Sequence, residues 1–345
     1  MKERFAPSGF TMTLLAVSSL LALLPAHING QDKKAKTGAQ RYLILDTRQF
    51  KTMQKEIDEA TSAGYRLISG NAGHMIFALE KDPDGKQHQY LVTGSIFKMA
   101  KEGKIEGYRV LPFAFSGGRW NDLGAVLEKL LPGEKQSEYK VVWTAKTSTF
   151  MKEIGEWAGK GFSLVALSGV GGNFALMERA AGAPESGPAD RYVVLATTMK
   201  GTMEKELTDA VARGYRLATV AEAGDEMMFA LEKRAPSEAA PEYRLITTTR
   251  TGKLEREVLA GVADGYRLLP MALSAQDRYA VLGRSHEMVA IMEKSPNQLP
   301  IQYKFLATKR VAKLQKELAD EAAAGWSLNR LFLTYEEQMI LLEKR

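Results

Sequence analysis

The sequence lacks cysteine entirely, and only four of its 345 residues are histidine. Without cysteine the chain has no disulfide, no Cys-ligated zinc or iron–sulfur cluster, no thiol nucleophile and no N-terminal cysteine for lipid attachment. The remaining composition, with 45% hydrophobic and 26% charged residues, is that of an ordinary soluble globular protein. It excludes collagen, a wholly disordered chain and a membrane protein with many spans.

One apolar stretch stands out near the start of the sequence. Lys2 and Arg4 precede this stretch, which covers residues 12–24. It is shorter than the about 20 residues that a membrane span requires, and its length and basic flank are typical of a secretory signal peptide. We therefore expect residues 1–30 to be a signal peptide and 31–41 a polar leader. The mature protein would be exported, periplasmic or secreted, without a membrane span; an uncleaved N-terminal anchor is the alternative.

Charge of one sign does not dominate the sequence. The 47 basic residues are interspersed with 41 acidic ones, and the net charge is +6. Such mixing predicts a solvated surface rather than the basic patch of a nucleic-acid-binding protein. We expect no nucleic-acid partner.

A Tyr-led apolar strand recurs six times along the chain. The strands begin at Tyr42, Tyr90, Tyr139, Tyr192, Tyr243 and Tyr303. Each is followed by a Gly-aromatic pair, at Gly64, Gly107, Gly161, Gly214, Gly265 and Gly325. Each copy closes on an apolar strand that ends in Glu and a basic residue, with the Glu at Glu80, Glu128, Glu178, Glu232, Glu293 and Glu343. This pattern indicates six copies of one structural unit of about 50 residues.

The segment between the Tyr and the Gly has the period of a helix. Its apolar residues lie three or four apart, as Met53, Ile57 and Ala60 do, which predicts one buried stripe. The Gly is expected to end this helix in the left-handed conformation. The Tyr-to-Gly spacing is 22 residues in five copies and 17 in the second, so the second helix should be shorter by about a turn and a half.

A second strand after the Gly and the closing strand complete a β-α-β-β unit. The first two strands should run parallel around a right-handed crossover, with the third antiparallel to them. The predicted fold class is α+β: six tandem repeats with small antiparallel or mixed sheets, each covered by one helix. Pro-bearing polar connectors set the predicted repeat boundaries at 42–82, 90–131, 139–180, 192–234, 243–295 and 303–345.

A single unit of this size buries too little surface to be stable alone. The first strand is apolar on both faces, as in Val193, Val194 and Leu195, so one face must meet something other than its own helix. We expect neighbouring repeats to cover that face, packing sheet to sheet or sharing sheet edges.

The repeats show a second period of three units. Repeats 1 and 4 share the closing run at 75–81 and 227–233, and repeats 2 and 5 share a run from the Gly-aromatic pair to Pro112 and Pro270. Repeats 3 and 6 alone place Ser after the Gly-aromatic pair. We infer a duplicated three-repeat module, which predicts two pseudo-equivalent lobes at about 40–180 and 191–345.

The repeats resemble a known bacterial family. Tyr139-Lys-Val-Val, Gly161-Phe-Ser-Leu-Val and Ala175-Leu-Met-Glu-Arg are similar to the domain of unknown function 4177, and repeat 6 is similarly close. The resemblance implies a strand, a helix ending at a Gly-aromatic pair and two further strands. It implies no activity and no catalytic residue.

No motif for catalysis, nucleotide or metal binding is present. The sequence holds no P-loop, dinucleotide glycine fingerprint, Gly-x-Ser-x-Gly elbow or His-Glu-x-x-His. The glycines at 169–172 fall in a hairpin rather than before a helix, which argues against phosphate binding. His74, His88 and His286 are not paired at metal-ligand spacing and are interpreted as solvated loop residues. We expect no metal and no cofactor.

The longest hairpins, those of repeats 2 and 5, each carry a basic–aromatic pair. The pairs are Arg119-Trp120 and Arg278-Tyr279. Long loops on a rigid scaffold are where binding residues concentrate, and Trp, Tyr and Arg dominate interface hot spots. These four residues are the candidate binding site. The structural alternative is that the aromatic rings cover a neighbouring repeat while the arginines stack on them.

Three functional hypotheses follow from the sequence. The first is an exported, non-catalytic repeat protein that acts as an interaction or structural scaffold for an unknown envelope or extracellular partner. The second is a small-molecule binding protein with a pocket between repeats or lobes. A hydrolase using scattered Asp and Glu is the third, and no residue spacing supports it. The sequence does not define the oligomeric state.

Overall fold

Six units of similar topology follow one another in the computed structural model. The structure describes residues 40–102, 105–117, 123–170, 172–221, 223–224, 226–280, 283–294, 301–334 and 337–345, with the backbone alone at 223–224, 276–280 and 283–286. These residues belong to one compact unit, 37–345. In the described part, no helix combines the length and apolar character that a membrane span needs.

The first three repeats have these elements. Repeat 1 contains β1 (Tyr42–Asp46), α1 (Phe50–Ser62), β2 (Tyr65–Asn71) and β3 (Ile76–Lys81). Repeat 2 contains β4 (Tyr90–Thr93), α2 (Ile96–Lys101), β5 (Tyr108–Val110), a 3-10 turn (Pro112–Ala114), β6 (Ser116–Gly117) and β7 (Leu123–Lys129). Repeat 3 contains β8 (Ser137–Thr144), α3 (Thr147–Gly159), β9 (Ser163–Ser168) and β10 (Asn173–Ala180).

The last three repeats follow the same order. Repeat 4 contains β11 (Tyr192–Thr197), α4 (Lys200–Ala212), β12 (Tyr215–Val220), β13 (Ala223–Gly224) and β14 (Met227–Lys233). Repeat 5 contains β15 (Tyr243–Thr248), α5 (Thr251–Ala263), β16 (Tyr266–Leu268), a 3-10 turn (Pro270–Ala272), β17 (Ser274–Ala280) and β18 (Gly283–Lys294). Repeat 6 contains β19 (Gln302–Thr308), α6 (Val311–Ala323), β20 (Ser327–Leu333) and β21 (Gln338–Lys344).

The predicted α+β repeat fold is confirmed. In every repeat the closing strand lies between the first and second strands and is antiparallel to both, so the first two strands are parallel without being neighbours. Five helices have 13 residues, whereas α2 has six, as the shorter spacing predicts. The Gly that follows each helix has φ between +79° and +93°, the left-handed conformation that favours glycine.

The period of three units is visible in the second strand. In repeats 1, 3, 4 and 6 its pairing with the closing strand shifts register, as between Leu67 and Ser69. In repeats 2 and 5 the strand stops instead before Pro112 and Pro270, where a 3-10 turn begins. Proline has no N–H to pair with a neighbouring strand, which explains the interruption.

Each hydrophobic core is shared by two consecutive repeats. One such core contains Met53 and Ile57 of α1, Phe77 of β3, and Tyr90 and Val92 of the next repeat, all at most 7% exposed. The same arrangement joins repeats 2 and 3, 3 and 4, 4 and 5, and 5 and 6. Neighbouring repeats therefore cover the second apolar face of each first strand.

The sixth repeat packs on the first and closes the array into a ring. Leu314 and Leu318 of α6 share a core with Tyr42 and Ile44 of β1. α6 contacts β1 as α1 contacts β4. Neighbouring repeats meet through the helix: the helix of each repeat lies between its own sheet and the first strand of the next. A shared sheet edge also occurs where β13 pairs with β17.

Candidate functional site

Each interface between consecutive repeats, here called a seam, contains the tyrosine of one first strand and the backbone of the preceding second strand. In five seams the tyrosine hydroxyl accepts a hydrogen bond from a backbone N–H at 2.9 to 3.2 Å. The pairs are Tyr42 with Leu328, Tyr90 with Leu67, Tyr139 with Val110, Tyr192 with Leu164, and Tyr243 with Leu217. In the sixth, the Tyr303 hydroxyl lies 3.5 Å from the carbonyl oxygen of Leu268.

These seam tyrosines are held in their neutral form. Burial raises the pKa of all six phenols, and that of Tyr243 to about 12. Each tyrosine also faces, in cross-strand register, the Glu that ends the closing strand of its own repeat. The negative charge of Glu128 raises the pKa of Tyr90 further. The recurring Glu is therefore a component of the seam.

The residue after the Gly-aromatic pair completes this cluster. It lies opposite the same Glu on the second strand, and it is Arg in repeats 1, 2, 4 and 5. Arg66 Nη2 is 3.3 Å from Glu80 Oε2, and Arg109 Nε is 2.7 Å from Glu128 Oε2. In repeat 3 the position is Ser163, and Glu178 instead accepts a hydrogen bond from the Tyr139 hydroxyl at 2.8 Å. Repeat 6 likewise has a serine there.

His88 is not the solvated loop residue that we expected. Its ring is 13% exposed and lies between two carboxylates, with Nδ1 2.7 Å from Glu128 Oε1 and Nε2 2.9 Å from Asp82 Oδ2. Each ring nitrogen is therefore within hydrogen-bonding distance of one carboxylate, and the ring bridges the two acidic side chains. A hydrogen bond from the backbone N–H of Asp84, together with His88, lowers the pKa of Asp82. The cluster ties the connector between repeats 1 and 2 to β7.

Two of the four predicted binding residues lie in the part of the chain that the structure describes. Arg119 and Trp120 lie outside the described residues. Arg278 and Tyr279 lie on β17, where they pair with Ser285 and Arg284 of β18, so the long hairpin of repeat 5 is a two-stranded ribbon. The structure therefore places one of the two pairs on a regular element.

The other two histidines of the repeats lie in repeats 1 and 5. His74 is exposed in the turn between β2 and β3, and His286 lies on β18 opposite Asp277. Among the residues that the structure describes, no three His, Asp or Glu side chains are grouped so that they could hold a metal ion.

The free edge of the first strand, which faces away from the closing strand, is covered by a glutamine in two seams. Gln54 of α1 donates from Nε2 to the Tyr90 carbonyl at 2.9 Å and accepts at Oε1 from the Val92 N–H at 2.8 Å. Gln315 of α6 makes the same two bonds to the Tyr42 carbonyl and the Ile44 N–H, at 2.9 and 2.7 Å. At the seam between repeats 5 and 6, Glu255 accepts one bond, from the Phe305 N–H at 3.3 Å.

Clefts lie along the free edges of the first strands in the other three seams. The volumes are about 750 Å³ beside Ser137–Lys140 of β8, about 750 Å³ beside Val193–Ala196 of β11, and about 380 Å³ beside Tyr243–Leu245 of β15. Cavities of this size fall in the range of ligand pockets. The position of Gln54 is occupied by Met151 in α3 and by Glu204 in α4.

The cleft beside β8 exists because α2 is short. Six helical residues cover less of the next repeat than thirteen do, and the connector at 180–185 forms the opposite wall. Arg179 and Lys140 both contact Glu138 there, at 2.6 and 3.1 Å. Burial acts to raise the pKa of Glu138, but the hydrogen bonds from Arg179 and Lys140 outweigh it and the pKa is lowered. The cleft thus contains fixed charges of both signs.

Sequence reasoning missed the glutamines and the histidine cluster. A signal for the first was present, because Gln54 and Gln315 both follow the first buried apolar residue of their helices, Met53 and Leu314. The partners of His88 are 6 and 40 residues away, and no local pattern connects them.

The comparison with known families bears on one repeat. A family model described as "Polyglycine hydrolase-like, structural repeat" matches residues 137–175, which cover β8, α3, β9 and the start of β10. The match supports tandem structural repeats in general and does not support the resemblance to the domain of unknown function 4177. No curated protein matches the chain. What the comparisons show of this chain is therefore a repeat protein with one unit similar to that structural repeat.

Proposed function

We propose that the protein is an exported, non-catalytic ring of repeats that acts as an interaction scaffold in the cell envelope or outside the cell. The proposal rests on where the repeated polar residues lie and what they contact. In five seams the repeated tyrosine bonds the backbone of the preceding repeat. The repeated glutamate faces that tyrosine in its own sheet, and in four repeats it also faces an arginine. The edges of the first strands differ between repeats, and three of them border clefts.

Export is supported by the sequence at residues 1–30. The test is fractionation of cells that produce the full chain, with Leu15→Arg in the apolar stretch as the comparison. We expect the wild-type chain outside the cytoplasm and the variant within it, because a charge in the apolar stretch disrupts a signal peptide. Equal distribution of the two chains would contradict export.

The scaffold role is tested by photo-crosslinking in the producing cells. A photoreactive residue replaces Val193, in the cleft beside β11, or Gln87, in the connector next to the His88 cluster. Defined cross-linked species from the cleft position, absent from the connector position, are expected. The proposal fails if neither position gives a cross-link, or if the purified chain hydrolyses glycan, peptide or ester substrates.

A second candidate function is small-molecule binding in the cleft beside β8. Its mixed charges around Arg179 and Glu138 favour a zwitterionic ligand. Thermal shift against a panel of amino acids and amino sugars tests this candidate, with Ala181→Trp as the variant that fills the cleft. A ligand that stabilises wild type and not the variant supports it; equal shifts for both chains contradict it.

Kinship of the units with the domain of unknown function 4177 is likewise a proposal, supported by the strand and Gly-aromatic residues of repeats 3 and 6.

A further inference from the structure

In two seams the chain completes a strand edge with a side chain that imitates a peptide group. The amide of Gln54 donates to one backbone carbonyl and accepts from the N–H two residues later, which is how a neighbouring strand would pair with β4. Gln315 does the same for β1. An edge strand left without such a partner offers its backbone groups to another chain.

The first strand of repeat 4 has the same geometry without the glutamine. Tyr192 pairs with Glu232 and Val194 with Ala230, as Tyr90 pairs with Glu128 and Val92 with Val126. The carbonyl of Tyr192 and the N–H of Val194 therefore turn toward the free edge of β11. Met151 occupies the glutamine position, and a thioether donates no hydrogen bond and accepts only weakly.

The cleft on this edge has room for a segment of chain. Its floor is Val193–Ala196, and its walls are Thr147 and Met151 of α3 and Glu206, Asp209 and Arg213 of α4. Met151 is 39% exposed, and methionine adapts to apolar side chains of varied shape. The two carboxylates on α4 favour a basic side chain in the occupant.

We propose that β11 binds an extended peptide of a partner protein as an added strand, with an aliphatic side chain on Met151 and a basic side chain near Glu206 and Asp209. Main-chain hydrogen bonds give such binding its affinity, and the pockets beside the strand give it its specificity. The inference rests on the proposed scaffold function and specifies its partner chemistry.

The test is selection of displayed random heptapeptides on the full chain, with Met151→Gln as the counter-selected variant. The glutamine should close β11 as Gln54 closes β4, and we expect the selected peptides to bind this variant at least tenfold more weakly. Met271→Gln is the matched control, because Met271 is 44% exposed on the 3-10 turn of repeat 5. It should bind the peptides as wild type does. Bound peptide should also slow amide exchange at Val194 and leave Val92 unchanged.

The possible results separate this inference from the proposed function. Enrichment of peptides that lose binding in Met151→Gln and protect Val194 supports it. No enrichment, or peptides that bind both Met→Gln variants as they bind wild type, overturns it. In that case the cross-links from Val193 in the producing cells decide the scaffold role on their own.

Discussion

The seam between repeats 1 and 2 and the seam between repeats 3 and 4 have the same interior and different edges. Both contain a tyrosine whose hydroxyl accepts a hydrogen bond from the preceding second strand, and both bury an isoleucine of the preceding helix, Ile57 or Ile154. At the strand edge, the first has Gln54 on the backbone of β4 and the second has a cleft beside β11. The interior holds the ring together, so the edge is free to differ.

The seam between repeats 6 and 1 resembles the seam between repeats 1 and 2, because a glutamine covers its strand edge. Gln315 bonds β1 and Tyr42 accepts from Leu328, as their counterparts do between repeats 1 and 2. These contacts join residues 271 and 286 positions apart. Ring closure therefore uses the same chemistry as the joints between consecutive repeats.

The strongest test of the shared interior is alkaline pH, because it acts on all six seams together. The folded pKa values of the seam tyrosines lie above the unfolded value of about 10. Their contribution to stability is complete below pH 10 and is lost as pH rises through the folded values, about 12 for Tyr243. We expect the free energy of unfolding in urea to fall steeply between pH 10 and 12, with phenolate absorbance rising at the same transition.

The matched variant for this test is Tyr243→Phe. Removing one titrating phenol should reduce the slope of unfolding free energy against pH by up to about 1.4 kcal/mol per pH unit. An unchanged slope would show that Tyr243 titrates equally in the folded and unfolded chains.

Shortening one helix side chain in each of three seams tests whether their cores are equivalent. Ile57, Ile154 and Leu318 are at most 1% exposed and occupy the second position of the apolar stripe. We expect Ile57→Ala, Ile154→Ala and Leu318→Ala each to lower the free energy of unfolding by about 2–5 kcal/mol. Urea denaturation measures the loss, and amide exchange in β1 and β20 should increase most for Leu318→Ala. A much smaller loss of unfolding free energy for Ile154→Ala would mean that the seam between repeats 3 and 4, which contains the cleft beside β11, has a weaker interior.

The His88 cluster distinguishes the seam between repeats 1 and 2 from the others. Replacing His88 with Ala leaves Asp82 and Glu128, at 2% and 7% side-chain exposure, without the ring between them. The expected loss of stability is about 1–3 kcal/mol. Lys86→Ala in the same connector is the control, expected within about 0.5 kcal/mol of wild type because its pair with Asp84 is exposed. Equal losses for the two variants would refute a structural role for the cluster.

The repeat unit could be predicted because its residues recur at regular spacing. Contacts between residues far apart in the sequence could not be predicted from that spacing. Met53, Ile57 and Ala60 indicate a helix locally, and Gly64 marks its end. Closure of the ring depends on Gln315 meeting Tyr42, a contact that no local pattern encodes. One signal was nevertheless available. The end repeats of an open array carry a polar outer face, whereas β1 is apolar on both faces. The basic–aromatic pairs gave no comparable guide, because loop length alone does not specify which side chains meet.

Exchanging the edge residues of the two seams gives the smallest effect and the sharpest comparison. Gln54→Met removes two hydrogen bonds from β4 and should cost about 1–2 kcal/mol, whereas Met151→Gln should supply two to β11 and stabilise by about 1 kcal/mol. The substitutions lie in different seams, so the double variant should show their sum within about 0.5 kcal/mol. Urea denaturation of the four chains completes the cycle. If Met151→Gln is neutral while Gln54→Met is costly, the edge of β11 is not organised as that of β4 is, and the two seams differ in more than one side chain.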